Sequence, residues 1–237
     1  MKGFRVRQIA GAVVISAILG GEMPAPGSPL HAQTRVSFRP RDGGLIYADM
    51  YGNGEHGVVL AHGGRFNKES WRDQARALEE AGFRALAIDF RGYGDSTGPG
   101  QSDPLSAPLH LDVLAAVRYL RTTGATTISI VGGSLGGGAA ADASVEAEPN
   151  EIDRLVLLGS AAGRAPEKLT VRKLFIVTRD DANAAGLRLP KIQAQYDRTP
   201  EPKELIILDG SAHAQFIFET EQATRVMSEI LRFLSAL

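Results

Sequence analysis

Ile128-Ser129-Ile130-Val131-Gly132-Gly133-Ser134-Leu135-Gly136-Gly137-Gly138-Ala139-Ala140 is the stretch on which the reading of this chain turns. A β-branched run feeds a glycine cluster, and an alanine-rich segment of helical composition follows. Within it, Gly132-Gly133-Ser134-Leu135-Gly136 matches G-x-S-x-G in the strand–turn–helix setting that this motif needs. A turn this tight leaves room for little beyond hydrogen two residues either side of the serine, hence the two glycines. The expected result is a serine on a strained bend, with its hydroxyl presented at the carboxyl end of a strand. The N–H groups that open the next helix stay free to meet developing negative charge. Ser134 is therefore the candidate nucleophile.

Two other readings compete for the same residues. A glycine-rich turn can simply pack a helix against a sheet. Gly136-Gly137-Gly138-Ala139-Ala140-Ala141 also satisfies a relaxed G-x-G-x-x-A pattern for nucleotide phosphates. That pattern begins inside the expected helix, not at its entrance, and no lysine follows as a phosphate-binding loop requires. The remainder of the chain arbitrates.

Composition narrows the field. A chain of 237 residues, 43% hydrophobic and 22% charged, suits one ordinary domain able to bury a good core. Its net charge of −1 makes no electrostatic case for nucleic acid or an anionic membrane. Zero cysteines exclude a disulfide framework, a thiolate metal site and a cysteine nucleophile together. The five histidines lack the spacing of helical or finger ligands, so no metal and no cofactor are expected.

The amino terminus has the form of an export signal. Met1 to Arg7 is a basic leader, and Ile9 to Gly20 an apolar core too short to span a bilayer comfortably. Leu30-His31-Ala32 offers a cleavage point before Gln33, with no nearby cysteine to receive a lipid. Residues 1–32 are thus expected to be a signal peptide and residues 33–237 an exported domain. Once the signal is removed, nothing remains to insert stably in a membrane. The destination, periplasm or medium, and the oligomeric state stay open.

Downstream, Val36 to Arg39 and Leu45 to Tyr51 are expected to form an antiparallel edge hairpin. Strand and helix patterns then alternate. Gly57–Ala61, Phe83–Ile88, Thr127–Val131, Arg154–Leu158, Leu174–Val177 and Glu204–Leu208 are short apolar runs of the kind that buried parallel strands have. Helices are expected over Ser70–Ala81, Leu111–Leu120, Leu135–Val145 and Glu219–Leu234. The fold class is α/β: a mostly parallel central sheet with antiparallel N-terminal strands and helices on both faces. Right-handed crossovers bring the carboxyl ends of the parallel strands to one rim, where ligands bind in such sheets.

That rim collects the remaining chemistry. His62-Gly63-Gly64-Arg65 follows the third strand, and its glycines let backbone approach a substrate oxygen. An N–H there, from Gly64 or alternatively Arg65, would complete an oxyanion hole with that of Leu135. His62 is read as a structural histidine orienting the loop. Asp89-Phe90-Arg91-Gly92-Tyr93-Gly94-Asp95-Ser96 follows the fourth strand and is read as a buttress in which Asp89 and Arg91 pair. A serine attacking an acyl carbon needs a base, and the base an orienting carboxylate. His213 sits in a small-residue loop after the last strand, whereas His31 lies in the leader, His56 at the wrong end of a strand and His110 at a helix start. Asp181, three residues beyond Thr178, is the preferred carboxylate; Asp180 is the alternative and Asp209 a distant third.

With Ser134, Asp181 and His213 in that chain order, the sequence resembles the α/β-hydrolase superfamily over roughly residues 35–237. The G-x-S-x-G elbow, the His62-Gly63-Gly64 loop and the Asp89 to Ser96 turn carry the resemblance, together with the loops of Asp181 and His213. It implies a serine hydrolase with an acyl-enzyme mechanism. Many members insert a helical cap between the sixth and seventh strands, but here Gly159–Pro166 leads almost directly to Leu174. The chain is therefore more similar to small capless esterases and dienelactone-hydrolase-like members, with a small-molecule ester of short to medium acyl group as the expected substrate. Amide cleavage, acyl transfer and a catalytically silent binding module on the same scaffold are the alternatives.

Overall fold

The computed structural model describes residues 33–236, so the expected signal segment lies outside the described residues. The elements are β1 (Thr34–Phe38), β2 (Ile46–Tyr51), β3 (His56–Ala61), α1 (Arg72–Glu80), β4 (Arg84–Ile88), α2 (Leu109–Thr122), β5 (Thr127–Gly133) and α3 (Leu135–Glu146). There follow β6 (Arg154–Leu158), β7 (Arg172–Thr178), the small hairpin β8 (Ala182–Asn183) and β9 (Gly186–Leu187), α4 (Leu189–Arg198), β10 (Lys203–Leu208) and α5 (Ala223–Ser235). One sheet runs β1-β2-β4-β3-β5-β6-β7-β10, antiparallel at β1/β2 and β2/β4 and parallel throughout the rest.

The continuous apolar runs of the strands follow from burial on both faces. Val59, Ile130, Leu155 and Phe175 point to one layer, filled by α2, α3 and α4. Val58, Val131, Val156 and Leu174 point to the other, filled by α1 and α5. Between β6 and β7 there is only a short 3₁₀ turn, Pro166–Lys168, so no cap covers the rim.

The antiparallel hairpin stands at the sheet's edge as expected, with β1 outermost and β2 joining it to β4. Two features depart from expectation. Arg91 does not pair with Asp89. Its buried guanidinium reaches Asp112 on α2 at 2.6 Å and also pairs with Asp42, while Asp89 accepts the Lys68 N–H at 2.8 Å. The β8–β9 hairpin and α4 were not foreseen. Ile192 is the one fully buried residue of α4, too little to leave a periodic apolar signature.

Candidate active site

The strand order reverses at β3. The chain leaves it for β4 on one side and returns to β5 on the other. In open α/β sheets the crevice beyond the carboxyl ends at such a switch point is where ligands bind. The register places Ala61 beside Gly132, so the loops after β3 and β5 emerge side by side.

Ser134 stands between β5 and α3 with φ 50° and ψ −113°. A non-glycine residue at positive φ is strained, and persists only where its surroundings overdetermine it. The surroundings here are two close backbone approaches. A Cβ on Gly136 would lie 2.3 Å from the Ala61 carbonyl oxygen, and one on Gly132 would lie 2.7 Å from Gly137 Cα. Both glycines are required by space, which accounts for their positions two residues either side of the serine.

His213 Nε2 lies 2.7 Å from Ser134 Oγ, and its Nδ1 lies 2.6 Å from Asp181 Oδ2. A carboxylate can only accept, so Nδ1 carries the proton and Nε2 is left to accept from the serine hydroxyl. Asp181 is 1% exposed, while Asp180 turns to solvent and uses its backbone N–H on the Gly210 carbonyl at 2.9 Å. Geometry therefore selects Asp181 from the two candidates. Asp209 also faces solvent, 3.6 Å from Arg179.

The hairpin β8–β9 adds a partner that the sequence did not announce. It folds Arg188 back so that its N–H meets the Asp181 carbonyl at 2.8 Å and its Nε meets Asp181 Oδ1 at 3.1 Å. Each oxygen of the buried carboxylate thus has a donor.

The loop after β3 is held at four points. Buried His62 contacts the Gly63 carbonyl through Nδ1 at 2.9 Å and accepts the Phe90 N–H on Nε2 at 3.3 Å. The second bond calls for the neutral ring, because Nε2 can accept only when unprotonated, and desolvation lowers the pKa from 6.5 to about 4. Tyr93 Oη donates to the Gly64 carbonyl at 3.0 Å. The Gly63 N–H donates to Gln215 Oε1 at 2.6 Å. Gln215 is buried two residues beyond His213, so one side chain ties the loop of the histidine to the glycine loop. The Phe66 and Phe216 rings, with centroids 4.7 Å apart, repeat that tie. Sequence reading missed Gln215, whose only signal was its proximity to His213. With the Gly63 N–H occupied, the loop's next donor is Gly64. Leu135, at the first position of α3, has an N–H with no acceptor inside its own helix. Among the described residues no group of three or more His, Cys, Asp or Glu is placed to hold a metal, and no described helix is long and apolar enough to cross a membrane.

Several known proteins are similar to this chain. Parts of it match the bifunctional epoxide hydrolase 2 of Sus scrofa (39% identity over 82 residues, 34% of this chain and 14% of the relative). An AB hydrolase superfamily protein of Bacillus subtilis is 29% identical over 117 residues, 49% of this chain and 42% of that protein. A third is the non-heme chloroperoxidase CPO-A1 of Kitasatospora aureofaciens, 44% identical over 57 residues, 24% of this chain and 20% of that protein. In each case the match spans less than half of the relative's length. Among solved structures, the esterase of Exiguobacterium antarcticum superposes with a TM-score of 0.71 at 16% identity, covering 86% of this chain and all 100% of the other. The dienelactone hydrolase of Anabaena variabilis gives 0.68 at 22% identity, covering 86% and 97%. At these identities the superpositions speak for the fold alone. A family model described as the alpha/beta hydrolase fold matches residues 58–223, and with the sheet order and elbow above, the chain belongs to that family.

Proposed function

We propose that the protein is a serine hydrolase acting on carboxylic esters of small to medium acyl groups, through an acyl-enzyme intermediate. The reading rests on one observation: the hydrogen-bonded chain Ser134 Oγ–His213–Asp181, at 2.7 and 2.6 Å, with the serine on a strained elbow. In this scheme His213 Nε2 takes the hydroxyl proton as Ser134 Oγ bonds to the acyl carbon. Asp181 stabilises the imidazolium, and the Gly64 and Leu135 N–H groups stabilise the oxyanion. The same Nε2 proton then goes to the departing alcohol. Water, deprotonated by His213, releases the acid and restores the serine. The basic and apolar N-terminus adds the proposal that the protein is exported, with a mature N-terminus at Gln33.

Labelling with a fluorophosphonate, read by intact mass beside Ser134→Ala, tests the reading. One adduct on the wild type and none on the variant is the expected result. No adduct on either protein refutes it and favours a binding role for the scaffold. Because relatives matching parts of the chain are named epoxide hydrolases and chloroperoxidases, an epoxide and a peroxide-dependent halogenation assay belong beside the esters and amides in the substrate panel.

A further inference from the structure

A cavity of about 450 Å³ lies along the flank of α3 that begins with the residue after Ser134. Its floor is the helix stripe Leu135, Gly138, Ala139 and Asp142, spaced three, four and seven residues from Leu135 as one face of a helix requires. Leu105 and Pro108 of the β4–α2 connection, with Leu109 at the start of α2, form the opposite wall, and Gly163 and Arg164, beyond β6, close the far end. The volume falls within the ~300–1,000 Å³ of small-molecule sites.

We infer that this cavity receives the acyl arm of the substrate, and that the arm is uncharged and apolar, with Gly138 setting how much of it fits. The inference rests on the ester-hydrolase reading above and deepens it. Three observations carry it. First, Leu135 lines the cavity and follows the elbow serine directly, and its side chain also borders Gly64, where a Cβ would lie 3.4 Å from Leu135 Cδ2, so the cavity adjoins the elbow. Second, none of the lining residues belongs to the loop carrying His213. The departing alcohol must reach His213 Nε2 for its proton, so the group on the side away from that loop is the acyl arm. Third, the charges at the far end are already matched. Asp142 accepts the Arg164 N–H at 2.8 Å on one oxygen and Arg164 Nε at 2.9 Å on the other, and His110 stands 3.2 Å from Glu146. With these groups already paired, an apolar arm meets no unmatched charge there. Leu105, 87% exposed, adds apolar surface to the cavity wall.

Gly138 is the gauge because a Cβ built on it meets nothing within 4 Å. The space it leaves belongs to the cavity and not to the packing of α3 against the sheet, so a larger side chain there fills the cavity without a clash. A glycine in mid-helix also forgoes helical propensity, so alanine or leucine at this position favours the helix.

The test measures kcat/KM for p-nitrophenyl acetate, butyrate and hexanoate with wild type, Gly138→Ala and Gly138→Leu, each labelled in parallel with a short-chain fluorophosphonate. In the wild type, kcat/KM should rise about fourfold per methylene as the arm is buried. Leucine should lower the hexanoate-to-acetate ratio by about tenfold or more, and alanine should fall between. A charged succinate monoester should be a poorer substrate than butyrate in all three. An unchanged ratio in labelled Gly138→Leu overturns the pocket while leaving the hydrolase reading standing. A wild type that neither labels nor turns over any ester overturns both.

Discussion

Replacing His62 by asparagine should flatten the acid side of the protein's stability curve. The ring is fully buried, and although it can donate to the Gly63 carbonyl in either charge state, it accepts the Phe90 N–H only when neutral. Burial lowers its pKa from 6.5 to about 4, so between those values the unfolded chain binds a proton that the folded chain does not. Stability from this group is therefore complete above about pH 6.5 and is lost as the pH falls towards 4. Linkage across that interval gives a loss of about 2 kcal/mol between roughly pH 7.5 and pH 5. In His62→Asn the shorter amide still has a donor for the Gly63 carbonyl but strands the Phe90 N–H. It also gives up the ring contacts to Phe90 and Tyr93, at centroid distances of 5.1 and 4.6 Å. The variant should thus be less stable at neutral pH by about 1–3 kcal/mol. Urea unfolding of both proteins at the two pH values isolates the difference, because every other titrating group is common to them. The wild type should lose about 2 kcal/mol more than the variant on acidification. Equal losses would refute the argument, and would mean that the ring is hydrated or already charged in the fold.

Three further outcomes are expected. Asp181→Asn should lower kcat about 10³–10⁴-fold while Asp180→Asn stays near wild type; similar kcat values for the two variants would sink the assignment. Gln215→Met removes the acceptor from the Gly63 N–H, and should lower kcat about ten- to a hundredfold with KM little changed, since it disturbs where the Gly64 donor points and not how substrate docks. An unaltered kcat would show that the glycine loop holds its shape without this tie. Asp112→Ala leaves the buried Arg91 guanidinium with Asp42 and the Pro99 carbonyl as its remaining partners, and should cost about 3–5 kcal/mol in denaturant unfolding. A loss under about 1 kcal/mol would mean that water replaces the carboxylate.

Much of the molecule was legible in one dimension because its causes are local. Continuous apolar runs mark strands buried on both faces, and the glycines around Ser134 mark a turn that admits no Cβ. The chain order Ser134, Asp181, His213 follows from which strand each residue succeeds. Other features depended on residues far apart in sequence. Arg91 chose Asp112 over Asp89 because α2 crosses the turn and places its carboxylate beside the guanidinium, while Asp89 is drawn to the Lys68 N–H. Asp180 and Asp181 are adjacent and chemically equal as letters. Only the path of the chain after β7, closed by Arg188 through a two-strand hairpin, turns one inward to His213 and the other to water. Gln215 has no motif at all, and acquires its place because the loops after β3 and β10 meet above the sheet. The sequence by itself determined the α/β architecture, the elbow and the identity of its serine, since steric space and hydrophobic period act over a few residues. The tertiary structure alone decided which carboxylate faces the histidine, which N–H groups stay free and where a cavity opens, since those depend on side chains that only the completed sheet brings within hydrogen-bond distance.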